Sequence, residues 1–143
     1  MNENIMVIKG GRHIDNRGIM DYINEFDMSL IKRMYMINHP NKHIKRGWRA
    51  HKLEQRWFYV VKGGFEINLV KIDDFENPDP NQKIETYELT DQQPMVIHVP
   101  VGYASAFRAL ENDSKVVVYA DANIQAAVND NYQYPIDYFV NWK

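Results

Sequence analysis

The sequence contains no cysteine among its 143 residues, which excludes disulfide bonds, thiolate metal ligands and cysteine nucleophiles. It also lacks an excess of either charge: 17 Lys and Arg against 19 Asp and Glu give a net charge of -2, unlike the basic surface of a nucleic-acid-binding protein. No apolar run approaches the roughly 18 residues of a membrane span, and the N-terminus MNENIMVIKG is not typical of a signal peptide. We therefore predict a soluble, cytoplasmic protein that binds neither nucleic acid nor membranes.

Length and composition point to one globular domain spanning residues 1–143, with 45% hydrophobic and 25% charged residues. Runs of β-branched and aromatic residues are separated by Gly, Pro, Asn and Asp, which favours strands over helices. Eight such strands in one domain predict an all-β sandwich or barrel. The predicted strands are Leu30–Asn38, Trp48–Leu53, Trp57–Lys62, Phe65–Ile72, Lys83–Leu89, Met95–Val99, Tyr103–Leu110 and Lys115–Asp121.

The segments between the strands carry turn residues. Gly63 and Gly64 lie between two strand patterns and predict a two-residue hairpin, whereas Asp15-Asn16-Arg17-Gly18 predicts another turn. The acidic, proline-containing stretch DDFENPDPNQ predicts a solvated loop before the next strand. Ile19, Ile23 and Phe26 form a short stripe with helical spacing, the one helical candidate. The C-terminal NIQAAVNDNYQYPIDYFVNWK has no regular pattern, but its aromatic residues predict that it packs onto the body.

The densest cluster of polar groups is RGWRAHKLEQRW, from Arg46 to Trp57. Alternate side chains of a strand share a face, so Arg49 and His51 point one way while Trp48 and Ala50 point the other. An imidazole beside a guanidinium in a partly desolvated cavity suits a general base next to an anion stabiliser. The alternative is an outward-facing polar surface with no chemistry.

A second cluster lies in IKRMYMIN, where Arg33, Tyr35 and Ile37 share one face of a strand. A tyrosine phenol can donate a proton to an enolate oxygen, and an arginine can bind a phosphate in bidentate fashion. The alternative for Tyr35 is a core residue whose hydroxyl is satisfied at the rim.

A third motif is VPVGYASAF, in which Pro100 and Gly102 predict a tight turn between two strands. Together with the R-G-x-x-A-H strand, this layout resembles a cupin barrel, and within the cupins the dTDP-4-dehydrorhamnose 3,5-epimerases and the dTDP-4-dehydro-6-deoxyglucose 3,4-ketoisomerases. D-N-R-G at 15–18 looks like the D-x-R-G turn of both families. I-K-R-M-Y at 31–35, R-G-W-R-A-H-K at 46–52 and L-E-Q at 53–55 resemble ketoisomerase motifs. P-V-G-Y-A-S-A-F at 100–107 is similar to P-x-G-F-A-H-G-F of the epimerases.

The chain departs from these families at informative positions. Arg49 stands where both families have the first histidine of a pair, which the epimerases use as base. Ser105 replaces the histidine after the P-x-G turn, and residues 119–124 carry no tyrosine at the position aligned with the epimerase acid. His51 remains, at the position of the base of the ketoisomerases. The resemblance therefore favours ketoisomerase over epimerase chemistry.

The resemblance implies a jelly-roll barrel with a packed C-terminal segment and isomerisation of a nucleotide-linked 4-keto-6-deoxy sugar of the dTDP-hexose type. His51 would remove the proton next to the ketone, Tyr35 would serve the proton relay, and Arg49 or Arg46 would stabilise the enolate. Arg33 and Arg46 are candidates for binding the pyrophosphate. Trp48, Trp57 and Tyr103 are candidates for stacking on base or sugar, and Ser105 completes the predicted substrate-binding residues.

Cofactors and partners follow from the same motifs. Cupin metal sites take three histidines and a glutamate, but here the matching set reads Arg49, His51, Glu54 and Ser105, so we expect no bound metal and no other cofactor. The resemblance implies a homodimer whose N-terminal strand pairs with the partner's sheet. The rival functions are a catalytically degenerate cupin that binds a carbohydrate or nucleotide sugar without turnover, and a metal-dependent cupin oxygenase, which would need the missing histidines.

Overall fold

The computed structural model describes residues 4–142. In this part of the chain, strands dominate and a single short helix, α1 (Ile124–Val128), follows the eleventh strand. The strands are β1 (Met6–Lys9), β2 (Gly11–Asp15), β3 (Gly18–Tyr22), β4 (Arg33–His39), β5 (Lys45–Ala50), β6 (Arg56–Lys62), β7 (Gly64–Lys71), β8 (Glu85–Thr90), β9 (Met95–Val99), β10 (Tyr103–Ala109), β11 (Ser114–Ala120) and β12 (Tyr132–Gln133). No helix of the described residues is long and apolar enough to cross a membrane.

The strands form two five-stranded antiparallel sheets and a separate hairpin. One sheet has the order β1-β9-β6-β11-β4 and the other the order β12-β5-β10-β7-β8, while β2 pairs only with β3. Consecutive strands repeatedly change sheet, as from β4 to β5 and from β9 to β10, which gives the jelly-roll arrangement. The prediction of an all-β jelly-roll fold is confirmed. All eight predicted strands are present, each beginning within three residues of its predicted start.

The predicted hairpin at Gly63 and Gly64 is wrong. β6 and β7 lie in different sheets, because β6 pairs with β9 and β11 whereas β7 pairs with β8 and β10. Gly63 has a φ of 72° and a Cβ at this position would clash with Ser114, so the glycine serves a close approach of chains where the backbone changes sheet. The amide of Gly63 donates to Oδ2 of Asp91 (2.9 Å), which holds the crossing in place.

The N-terminal region also differs from expectation. The helical stripe at Ile19, Ile23 and Phe26 is wrong: Gly18–Tyr22 forms β3, which pairs with β2 across the predicted turn at residues 15–18. Residues Met6–Lys9 pair with β9 of the same chain, so this strand does not need a partner's sheet. The homodimer stays a prediction. The β2–β3 hairpin exposes Ile14, Ile19 and Met20, which form apolar surface suited to contact with a second copy.

Two hydrophobic cores hold the fold. The first core lies between the sheets and includes Phe58, Phe65, Ile67 and Phe107. The second core covers the outer face of the β12-β5-β10-β7-β8 sheet, where Phe139 packs edge-on against Trp48 with ring centroids 4.9 Å apart. Each buried aromatic ring of this kind removes on the order of 150–250 Å² of surface from water. The prediction that the C-terminal segment packs onto the body is confirmed.

Candidate functional site

Two adjoining cavities share part of their lining. The first cavity has a volume of about 370 Å³ and is lined by Tyr35, Ile37, Lys45, Arg46, Gly47, Trp48, Arg49, Arg56, Ser105, Phe107, Gln133 and Tyr134. The second cavity, of about 380 Å³, is lined by Arg33, Tyr35, Arg46, Arg49, His51, Ile124, Ala127, Val128 and Asn131. Tyr35, Arg46 and Arg49 line both, so they form the boundary between the two.

The alternation of β4 brings part of the site together. Tyr35 and Ile37 line the first cavity, whereas Met34 and Met36, which alternate with them along the strand, are exposed on the opposite face. This is the face assignment that the sequence predicts. Arg33, at the start of the strand, reaches the second cavity instead, and its Nη1 donates to the carbonyl of Ala122 (2.8 Å). The predicted grouping of Tyr35 with His51 around one cavity matches this placement.

β5 supplies the opposite wall. Arg49 and His51 point toward the cavities, while the rings and methyl groups of Trp48 and Ala50 lie in the second core. The register between β5 and β10 shifts between Ser105 and Ala106. Gly47 makes this possible, since its φ is 136° and a Cβ there would lie 2.6 Å from Cα of Ala106.

His51 is buried, and its environment keeps it neutral. Burial and the nearby positive charge of Arg56 lower its pKa to about 4, although contacts with Asp130 oppose the shift. Nδ1 of His51 is bonded to the carbonyl oxygen of Asp130, and a carbonyl can only accept, so Nδ1 carries the proton. Within residues 4–142 no protein group hydrogen-bonds to Nε2, which leaves that nitrogen to accept a proton.

Glu54 lies next to His51, on the side of its Nδ1 atom. Its carboxylate is fully buried, with Oε1 2.9 Å from Nη1 of Arg33 and Oε2 3.4 Å from Nδ1 of His51. Burial raises the pKa of Glu54, and the positive charges of Arg33 and Arg56 oppose this. The ion pair between Glu54 and Arg33 holds Arg33 at the edge of the second cavity.

Arg56 is the most deeply buried cation of the site. It is 3% exposed, Nη1 donates to Oγ of Ser105 (2.7 Å) and Nη2 donates to the carbonyl of Tyr103 (3.1 Å), while Nε has no hydrogen-bond partner. Burial lowers its pKa, but an arginine keeps its charge in proteins. Among the described residues, no carboxylate forms a salt bridge with it. A buried cation at the wall of a cavity, with acids nearby but none in direct contact, is suited to an anionic group of a ligand.

His51, Glu54 and Asp130 offer ligand atoms within 4.8 Å of one another, a spacing that a metal ion could use. The two carboxylates, however, already face other groups. The Asp130 carboxylate accepts the amides of Lys52, Leu53 and Glu54, and Glu54 faces Arg33. Nδ1 of His51 carries a proton. Nε2 of His51 is then the one unengaged ligand of the set, fewer than a divalent cation needs, so the absence of a metal stays our prediction.

The remaining predicted residues divide between the cavities and the cores. Ser105 lines the first cavity, and its hydroxyl oxygen accepts a hydrogen bond from Arg56. Trp57 is on the outer face of its sheet, stacked on His98 at 4.8 Å, and Tyr103 belongs to the first core, so neither lines either cavity. Trp48 borders the first cavity, but its ring packs in the second core and its indole N–H donates to the carbonyl of Ile136 (3.2 Å). A stacking role for these three rings does not fit their positions.

Sequence reasoning missed three charged residues, Lys45, Arg56 and Asp130, and one wall of the second cavity. Arg56 could have been found, since it lies at an inward position of β6, one residue before the predicted strand began. Asp130 and the apolar residues of α1 carry no periodic signal, because α1 is five residues long and is preceded by an Asn123 cap that accepts the amide of Ala126 (2.9 Å).

Comparison with known proteins identifies the family of the chain. A family model described as "FdtA: WxcM-like, C-terminal" matches residues 3–142. No curated protein matches the sequence.

Solved structures share the fold at low identity. An rmlC epimerase from Mycobacterium tuberculosis has a TM-score of 0.77 at 18% identity, over 96% of this chain and 74% of that one. A 3,4-ketoisomerase from Helicobacter canadensis has a TM-score of 0.71 at 17% identity, over 97% of each chain. A histidine-to-asparagine mutant of the 3,4-ketoisomerase QdtA from Thermoanaerobacterium thermosaccharolyticum, in complex with TDP-4-keto-6-deoxyglucose, has a TM-score of 0.71 at 23% identity, over 98% of this chain and 94% of that one.

Proposed function

The chain belongs to the family described as FdtA (WxcM-like, C-terminal), and from this premise we propose that it isomerises a dTDP-linked 4-keto-6-deoxy sugar by moving a proton next to the ketone. The observation that carries the proposal is His51, a neutral imidazole at the wall of the second cavity with Nε2 unpaired and Nδ1 held by Asp130. A base for carbon acids needs this state, since a protonated imidazole cannot accept a proton.

The charges around the cavities support an anionic substrate. Lys45, Arg46 and Arg49 line them, and within residues 4–142 none of the three pairs with a carboxylate. A pyrophosphate linker would receive charge-assisted hydrogen bonds from such groups. Arg33 is committed to Glu54 and Ala122, so Arg46 and Arg49 are the better candidates for the pyrophosphate.

A different cation is needed to stabilise the enolate oxygen. Removal of a proton next to a ketone leaves negative charge on oxygen, and a preorganised cation in a water-poor site lowers that barrier most. Arg56 is buried and fixed by Ser105 and Tyr103, whereas Arg46 and Arg49 have exposed side chains. We therefore assign the enolate to Arg56 in place of the Arg49 or Arg46 suggested by the sequence. Tyr35 lines both cavities, which supports our assignment of the proton relay to its phenol.

The test uses dTDP-4-keto-6-deoxyglucose in deuterated water, with the label followed by NMR. His51 as the single base predicts deuterium at carbon 3 of the recovered substrate and at carbon 4 of the 3-keto product, since the proton leaves carbon 3 and one returns to carbon 4. Carbon 5 should stay unlabelled, because it lies on the other side of the ketone and would need its own base within about 3 Å. Label at carbons 3 and 5 would mean epimerase chemistry despite Arg49. Binding without label would favour the alternative, a nucleotide-sugar-binding module without turnover, which the arginine at position 49 supports.

The pH dependence of kcat/KM provides an independent prediction. The neutral form of His51 is the active one and its pKa is lowered to about 4, so the rate of proton exchange should stay level as pH falls from 8 to about 5 and decline only near the lowered pKa. The measurement is the initial exchange rate at low substrate concentration across this range. A decline centred at the ordinary histidine pKa of about 6.5 would show that His51 is not in the described environment.

A further inference from the structure

Asp130 connects to His51 through both its main chain and its side chain. The residue follows α1 and is 3% exposed. Its carboxylate accepts three consecutive backbone amides, those of Lys52 (2.7 Å), Leu53 (2.9 Å) and Glu54 (2.9 Å). The stretch immediately after His51 is therefore fixed by one acid from the far end of the chain, 76 to 78 residues away.

The carbonyl of the same residue accepts the Nδ1 proton of His51. The other acceptor near this nitrogen is Oε2 of Glu54, at 3.4 Å, which is beyond the usual range of N–H···O hydrogen bonds. Asp130 is thus the group that decides which ring nitrogen is protonated. In a neutral histidine the hydrogen bond at one nitrogen determines the state of the other.

We propose that Asp130 is a positioning residue for the proposed reaction: it holds His51 in the Nδ1-protonated tautomer and directs the bare Nε2 into the second cavity. The proposal rests on His51 being the base. The two contacts act together, because the carboxylate fixes the position of the carbonyl relative to the backbone that carries the imidazole. Loss of the carboxylate would free the carbonyl to move, and the ring could then rotate or change its tautomer.

Asp130→Asn is the sharpest variant, since it is nearly isosteric but turns one acceptor oxygen into an N–H₂ donor facing backbone amides. We expect the variant to populate the Nε2-protonated tautomer and to lose about 10- to 100-fold in the rate of proton exchange, as found when groups that orient a functional histidine are removed. The affinity for TDP should change by less than about twofold, because Asp130 lines neither cavity. The matched control is Asp137→Asn, an exposed acid of the same C-terminal segment.

The readout is ¹⁵N NMR of histidine-labelled protein at neutral pH, with the His51 signal assigned by its loss in His51→Asn. Wild-type protein should show Nδ1 protonated and Nε2 bare. Nε2 protonated in the wild type would overturn the proposal without any variant, as would an unchanged tautomer in a folded Asp130→Asn, or a changed tautomer with an unchanged exchange rate. If Asp130→Asn does not fold, Asp130→Ser, which keeps one acceptor, is measured in the same way.

The tautomer and the exchange rate separate this inference from the proposed function. A wild-type protein that binds TDP but exchanges no proton contradicts the isomerase, whereas the NMR spectrum still shows whether Asp130 sets the tautomer. In that case Asp130 has no role in a reaction, and only its effect on the tautomer of the His51 ring is tested, by the ¹⁵N NMR spectrum.

Discussion

Replacing His51 by asparagine should reduce proton exchange at carbon 3 of the substrate by about 10²- to 10⁴-fold, because this is the contribution of a general base to the rate. Asparagine cannot accept the proton, but its side-chain amide can still donate to the carbonyl of Asp130, so the cavity should keep its shape. TDP should bind within about twofold of wild type. The measurements are the initial rate of deuterium incorporation and a binding titration with TDP.

His43→Asn is the control, since it removes an exposed histidine that lines neither cavity. It should leave both exchange and binding unchanged. Wild-type exchange in His51→Asn would show that another group is the base, and Glu54, whose pKa is raised by burial, would be the next candidate.

Replacing Arg56 by methionine should separate activity from stability. We expect the exchange rate to fall by about 10²- to 10³-fold, as for loss of one preorganised oxyanion-stabilising group. The melting temperature should be equal to or higher than that of wild type, because removing a buried guanidinium from water costs free energy that an apolar side chain of similar length does not. The measurements are isotope exchange and thermal unfolding monitored by circular dichroism.

Arg56→Lys is the matched variant, because it keeps the charge but has a single nitrogen for two acceptors, Ser105 and the carbonyl of Tyr103. It should retain more activity than Arg56→Met. A methionine variant that keeps full exchange would assign the enolate to another cation, with Arg49 first. A methionine variant that melts well below wild type would show that Arg56 is primarily structural.

The strands and the faces of the site were predictable because they depend on local patterns. Alternation along β4 correctly places Tyr35 in the cavity and Met36 outside. Alternation along β5, continued to the residue after it, correctly separates His51 from Trp48. These assignments need only the two-residue period of a strand and one buried face.

Other features depend on distant contacts and were not predictable in the same way. A Gly-Gly pair has the same local preference in a hairpin and in a change of sheet, and only the pairing partners of β6 and β7 distinguish the two. Trp57 and Trp48 are aromatic whether they contact a ligand or a core, so their residue type did not reveal their position. Asp130 acts through backbone amides 76 to 78 residues away, for which the sequence carries no spacing rule.

The packing of residues 132–142 against β5 affects how the protein is made. Residues are synthesised from the N-terminus, so β5 is made before β12 and Phe139. Its outer face therefore stays uncovered until those later residues have been made. During that interval Trp48 lacks the ring that packs against it, and His51 lacks its acceptor. A nascent or truncated chain without these residues should therefore present exposed aromatic surface to chaperones and proteases, and the proposed activity would require residues 130–142 to have been made.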